Sequence, residues 1–318
     1  MSFEQLKLKF YRLDVFTTVP YKGNPLAIVH LPPGRDLEPE RKLSIAREFN
    51  LSETVFLHEN DGDRFDQTNI DIYTTTEELP FAGHPTIGAG WHLLNNVRPG
   101  MSETTLLTKA GSIPMVLLPT NGAGGQGIAR VKLRVPVDFK VHAPYAHPTI
   151  KKDQTRLTPD DYVNGLDGLE VVASIVKGMT FLLVQLKSTD ALARLGSFAQ
   201  RIAIPGLGDW SGFIGLYAFT ILHKDAGNGE LNGTLHVQTR MFDATLEDPA
   251  TGSAASTLAG WLAQREGKGK WAVEIVQGVE MGRRSEIGVV VTIGDDGEIK
   301  AIELVGSAVQ VMEGHLWV

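Results

Sequence analysis

Cysteine is absent from this chain of 318 residues. Disulfides, thiolate nucleophiles, paired thiol acid/base groups and cysteine-built zinc sites are therefore excluded. No Lys/Arg run occurs, and 30 basic against 37 acidic residues leave a net charge of −7. That ordinary balance predicts no nucleic-acid partner and no anionic membrane partner. Apolar runs such as Ile287–Ile293 are far too short to span a bilayer. The opening MSFEQLKLKFYRLDVF alternates like a strand and lacks the apolar core of a signal peptide, so a cytoplasmic location is expected. Sequons at Asn50 and Asn232 then read as coincidence. Neither H-E-x-x-H nor G-x-S-x-G occurs, and His142 and His147 fall in a loop-like stretch, so no metal and no hydrolase elbow is expected.

What the chain does have is glycine (34), proline (16) and many short β-branched runs, which predict a strand-rich protein with few helices. Strands are expected at Leu8–Phe16, Leu26–Leu31, Ser52–His58 and Asn69–Thr75. A helix is expected from Pro39, with Leu43, Ala46 and Phe49 on one face and Asn50 as its C-cap. Two further helices, about His84–Asn95 and about Ser253–Gln264, carry almost no charge. A helix without a polar face is a buried one, and two of them predict two domains, each wrapping strands around its own helix. Their starts resemble each other: Glu78-Leu-Pro80-Phe-Ala-Gly83-His84 and Glu247-Asp-Pro249-Ala-Thr-Gly252-Ser253, each leading into a small-residue helix with Ala-Gly-Trp. The glycine-rich 121–127 stretch formally matches G-x-G-x-x-G. The strand expected at Ile128–Val135, followed by Pro136, makes it a hairpin or linker rather than a nucleotide loop. The segment Val141–Asp167 reads as a surface excursion.

Three ionisable residues stand out. Glu53 shares a strand face with Leu51, Val55 and Leu57, where desolvation raises a carboxyl pKa toward the range useful for proton transfer. The alternative is a strand-start glutamate whose head reaches water. His84, between Gly83 and Pro85, opens a buried helix whose amides and dipole favour an anion; it either shuttles a proton or caps the helix. Asp248 precedes Pro249 and Thr-Gly252-Ser253, which is either a capping arrangement or a second anion-receptive helix start. Together the two starts would form a carboxylate-binding cleft if the domains face each other.

At these residues the chain resembles the phenazine-biosynthesis isomerase-like (PhzF-like) family. The matching blocks are DVFTTVPYKGNPLAIV at Asp14–Val29, AREFNLSETVF at Ala46–Phe56, ELPFAGHPTIGAG at Glu78–Gly90, TRMFDATLEDPATGSAA at Thr239–Ala255 and QGVEMGRRSEI at Gln277–Ile287. The resemblance implies an α+β fold like diaminopimelate epimerase: two pseudo-symmetric domains, each a curved sheet around a central helix, with the active site between them. Residues 1–127 would form the first domain, with a final strand at 306–318 packing back on it, and 128–305 the second. The epimerases use paired cysteines at the two helix starts; Gly83-His84 and Gly252-Ser253 stand there instead, so two-thiol chemistry is excluded. By resemblance Glu53 is the acid/base, His84 and Asp248 support it, and Gly83, Gly252 and Ser253 hold the substrate carboxylate. The implied protein is an isomerase without metal, flavin or nucleotide, a homodimer acting on a small carboxylate metabolite. A metabolite-binding protein of the same fold, or a hydrolase or lyase using the same carboxylate, are the alternatives. The chain departs from the family at IDIYTTTEELP and in the longer stretches 121–127 and 141–167.

Overall fold

The computed structural model describes residues 6–60, 66–119 and 129–318. The glycine-rich stretch and the expected boundary at 127/128 lie outside them. Contacts divide the chain into two compact units, Met1–Arg134 with Val305–Val318, and Val135–Leu304.

In the first unit, β1 (Lys7–Val15) and β2 (Asn24–Leu31) lead through α1 (Pro39–Phe49) to β3 (Thr54–His58) and β4 (Gln67–Tyr73). A two-residue strand, β5 (Glu78–Leu79), precedes α2 (Gly83–His92), after which come β6 (Glu103–Thr108), β7 (Gly111–Leu118) and β8 (Arg130–Arg134). The C-terminal strand β18 (Ala308–Trp317) pairs antiparallel with β1. From β1 the sheet runs on to β2, then parallel to β3, antiparallel to β4, parallel to β6, and antiparallel to β7 and β8.

Helix α2 touches β1, β2, β3, β6, β8 and β18, so the sheet curves around it. Nine of its ten residues are buried, as its lack of charge demands. The other sheet face is covered by α1, whose Ile45 and Ala46 pack on Leu8, Val29, Phe56 and Tyr73. With helices on both faces, β2 and β3 read as continuous apolar runs instead of alternating ones. Helix α1 starts at the expected proline and ends at Asn50, whose left-handed backbone (φ 49°, ψ 42°) returns its amide to Ala46.

The second unit repeats this order. The short β9 (Lys140–Val141) pairs with β10 (Val171–Val176), and β10 with β11 (Met179–Gln185). Then come α3 (Thr189–Arg194), β12 (Phe213–Ala226) parallel to β11, and β13 (Gly233–Asp243) antiparallel to β12. The short β14 (Leu246–Asp248) precedes α4 (Gly252–Glu266). After it, β15 (Gly269–Gln277) lies parallel to β13 and β16 (Ser285–Ile293) antiparallel to β15, with β17 (Ile299–Gly306) following. Helix α4 packs on β10, β11, β15 and β16. The repeat read from two helix starts thus extends to the pairing scheme of both sheets.

Three expectations are adjusted. Helix α2 starts at Gly83, one residue before the expected His84, so Pro85 is its third residue; its missing amide falls among those that have no partner within the helix. Helix α2 does not end regularly, because residues 93–97 form a π turn in which the Arg98 amide reaches Leu93 O at 2.7 Å. The 141–167 stretch is more than surface: Ile150 and Tyr162 enter the second unit's core, and the buried Lys151 pairs with the buried Glu170.

Close wrapping needs small residues on the central helices. A Cβ on Gly88 would lie 2.5 Å from Leu26 Cδ2 and 2.8 Å from Val15 Cγ2. Gly88→Val should therefore lower the unfolding free energy by about 2–3 kcal/mol through overpacking. In urea this reads as a lower midpoint at unchanged slope.

Candidate active site

Glu53 is the residue immediately before β3, not a member of the strand. Its side chain is 17% exposed, and its Oε2 lies 3.4 Å from Nδ1 of the 5%-exposed His84. That oxygen is buried and accepts no hydrogen bond among the described residues. Burial pushes the Glu53 carboxyl up to about 7, and a hydrogen bond from Ser52 only partly opposes it. A carboxyl balanced near neutrality can both take and return a proton.

His84 is positioned by α2. Ala82, the N-cap, is extended (φ −149°, ψ 141°), and Gly83 and His84 are the first two helical residues. Thr86 donates the first helical bond, 3.3 Å to Ala82 O, so the Gly83 and His84 amides precede the ladder at the positive end of the dipole. The chain reaches this point through β5, where Glu78 accepts from the Tyr73 hydroxyl at 3.0 Å and pairs with Lys109 Nζ at 2.5 Å.

The second unit builds its helix start the same way and furnishes it differently. Glu247 in β14 is gripped by Arg240, whose Nε and a terminal nitrogen reach its two oxygens at 2.7 and 2.8 Å. The same guanidinium donates to the carbonyls of Leu192 (3.1 Å), Ala193 (3.3 Å) and Leu195 at the end of α3, where a cation is favoured. Asp248 closes β14, and its Oδ2 accepts from the Thr251 hydroxyl at 2.5 Å. Gly252 and Ser253 are the first two residues of α4, with Thr251 as N-cap; Ala255 donates the first helical bond, 2.9 Å to Thr251 O.

Behind this start lies a polar network that the sequence did not suggest. The fully buried Gln277 donates to Asp248 O at 2.8 Å and to Thr251 Oγ1 at 3.0 Å, and accepts from the Tyr217 hydroxyl at 3.0 Å. Thr239 donates to Tyr217 at 3.0 Å. Burial pushes the Tyr217 phenol upward, so it stays a neutral donor. Gly278 lets β15 end against this corner: its φ is +73°, and a Cβ there would meet Pro249 O at 2.7 Å. The only trace in the sequence is the block Gln277–Ile287, and nothing local to it signals that its glutamine serves Asp248.

A second unsuspected cluster sits at the far end of α2. His30 and His92 meet Nε2 to Nε2 at 3.0 Å, with Glu59 Oε1 2.8 Å from His30 Nδ1. Burial holds both imidazoles below their ordinary range, His92 at about 3. Sixty-two residues separate the two histidines, so no spacing rule links them.

Of the six residues picked from sequence, Glu53, Gly83 and His84 thus fall in the first unit, where Glu53 and His84 face each other. Asp248, Gly252 and Ser253 fall in the second, grouped at the start of α4.

Comparison with known proteins identifies the fold and the family. An uncharacterized isomerase of Mesorhizobium japonicum is 31% identical over 96% of this chain and 97% of its own length. The trans-2,3-dihydro-3-hydroxyanthranilate isomerase of Pseudomonas aeruginosa is 28% identical over 97% and 99%. Among solved structures, a PhzF-family phenazine biosynthesis protein of Bacillus anthracis superposes with a TM-score of 0.73 at 19% identity, over 98% of this chain and all of that one. A probable proline racemase from Agrobacterium radiobacter gives 0.56 at 12% identity, over 97% and 92%. The fold is therefore the α+β, diaminopimelate epimerase-like one. The profile of the phenazine biosynthesis-like proteins matches residues 13–314, and the chain belongs to that PhzC-PhzF family.

Proposed function

We propose that this protein is an isomerase that moves a proton, and with it a double bond, within a small carboxylated substrate. The observation that supports this most is the Glu53 carboxyl, raised to about 7 by burial and facing His84. As carboxylate, Glu53 takes a proton from a substrate carbon; the electron pair shifts into a new double bond; the neutral acid then returns the proton to a second carbon. No proton is gained or lost overall, and no electron acceptor enters the balance. His84 shares the proton or polarises the reacting group. Gly83 at the helix start of the first unit, and Gly252 and Ser253 at that of the second, each offer amides or a hydroxyl suited to a substrate carboxylate. Asp248 is a hydrogen-bonding partner kept in place by Thr251. The substrate class follows the named relative, whose substrate is a dihydro-hydroxyanthranilate. A cytoplasmic location and a homodimer belong to the same reading. No helix among the described residues is long and apolar enough to cross a membrane.

Trans-2,3-dihydro-3-hydroxyanthranilate incubated with the protein in D2O tests the chemistry, with deuterium uptake followed by NMR. Glu53→Gln should slow kcat by roughly 10²–10⁴-fold with little change in KM. The parent's kcat/KM should rise with pH through about 7, as the base loses its proton. Exchange at the parental rate in Glu53→Gln removes Glu53 from the role. Light scattering should give a mass near twice 34.6 kDa; the monomer mass rejects the dimer.

Stability gives a check that needs no substrate. The unfolded Glu53 titrates near 4.5 and the folded one near 7, so between these values the native state keeps a proton that the unfolded state has lost. The carboxyl's contribution is therefore full below 4.5, declines as pH rises, and is gone above 7. Urea unfolding should show Glu53→Gln equal to the parent near pH 4 and more stable near pH 8, by about 1–3 kcal/mol. Equal stability at both values would mean that Glu53 titrates as an ordinary glutamate.

A further inference from the structure

Beyond Phe219, where its pairing with β11 ends, β12 runs on as an edge arm beside β13, and residues 221–230 are all exposed. The arm carries a cluster that the proposed isomerisation does not use. His223 and His236 are directly opposite each other across the ladder. Their rings stack at 4.1 Å with 12° between planes. Asp225 is two residues from His223 and so on the same face; its Oδ2 lies 2.9 Å from His236 Nε2 and its Oδ1 3.9 Å from His223 Nε2. One ligand atom from each of the three lies within 4.8 Å of the other two.

A bulge makes this alignment. The register shifts between Ile221 and His223, leaving Leu222 as the extra residue, and the shift sets His223 opposite His236. A bulge that re-aims one side chain toward another is a common device of functional strands. The opposite face of the arm is spoken for: Lys224 lies 4.7 Å over the Trp271 ring and pairs with Glu266 in α4.

We propose that His223, Asp225 and His236 form a binding site for a divalent transition-metal ion of the Zn²⁺ class. Two imidazoles and one carboxylate are the donor set such ions take, at about 2.0–2.2 Å from the metal. In a tetrahedron those bonds place ligand atoms roughly 3.3 Å apart. The 2.9 and 3.9 Å separations fall on either side of that value at the two different oxygens of Asp225, so the carboxylate and the stacked rings have to turn to share one ion. A fourth position stays open to water or to an outside ligand. A second trio in the protein shows what an occupied anion cluster looks like. Asp36, His58 and Asp71 also converge, but the Lys42 ammonium already sits among them, 2.7 Å from Asp36 and 2.6 Å from Asp71. Among the described residues no Lys or Arg pairs with the arm trio, and the neighbouring Lys224 engages Glu266 instead.

Calorimetric titration of the full chain, free of any added histidine tag, with ZnCl₂ at pH 7.5 tests the site. One equivalent of Zn²⁺ should bind, with shifts confined to the His223 and His236 imidazole signals by NMR. H223Q and H236Q should each weaken binding by roughly tenfold or more. D225N, nearly the same size and on an exposed arm, should weaken it less while leaving the circular dichroism unchanged. Absence of binding to the parent, or an unchanged equivalent in a folded H223Q/H236Q double variant, overturns the proposal.

Discussion

Each half of this protein depends on enclosing a helix that has no polar face. Helix α2 buries nine of its ten residues, and ten of the fifteen in α4 are buried. Neither can rest on a flat sheet, because that would leave an apolar side in water. The sheet has to curve around it, as the contacts of α2 with six strands show. Small residues set how close the strands come; at Gly88 there is no space for a single further carbon. A helix enclosed on its sides still has to present its first amides somewhere. The approach through β5 or β14 directs that end to where a polar group can meet it, and the anchoring Glu78 and Glu247 fix the approach.

The two starts share their backbone and differ in their side chains. In the first unit an imidazole at the second helical position meets a carboxyl from outside the helix. In the second, a serine takes that position, and the carboxylate comes from the approach strand, bonded to the N-cap threonine. The first arrangement suits moving a proton; the second suits holding one geometry. Within the proposed reaction this is a division of labour between chemistry and orientation. The fully buried Gln277, Tyr217 and Thr239 fit the second role, since a satisfied buried network resists rearrangement.

Much of this was legible in the sequence because it is local. Proline at the start of α1, Asn50 at its end, the nearly uncharged character of α2 and α4, and the matched spacing from Glu78 to Gly83 and from Glu247 to Gly252 are each visible within a short stretch. Partners brought together by the fold were not legible. His30 meets His92, Gln277 meets Asp248, and Arg240 meets the end of α3 only because elements distant in sequence pack together in the fold. The π turn after His92 was also hidden, because no residue type in Leu93–Val97 demands it. The Val141–Asp167 stretch misled for a related reason. Its prolines and charges suggest surface, while Ile150 and Tyr162, which enter the core, are too sparse to form a period.

Burial alone does not single out Glu53; what does is that, among the described residues, no Lys or Arg offsets it. Asp71, also partly buried in the first unit, supplies the comparison. Burial would raise its pKa too, yet the hydrogen bonds and charges of His58 and Lys42 outweigh it and hold the carboxyl below its ordinary range. Both carboxyls thus face a desolvation cost, and cations offset it only at Asp71. For Glu53 the opposing contribution is a hydrogen bond from Ser52, and the net rise to about 7 amounts to roughly 3 kcal/mol held against the ionised form. A carboxyl serving only the fold would be better placed with a partner like Lys42, or replaced by an apolar residue. Holding a carboxyl uncompensated beside an imidazole is costly to stability and useful to proton transfer, which requires both protonation states near neutral pH. The imbalance between Asp71 and Glu53 is therefore the strongest physical reason to place the chemistry at Glu53.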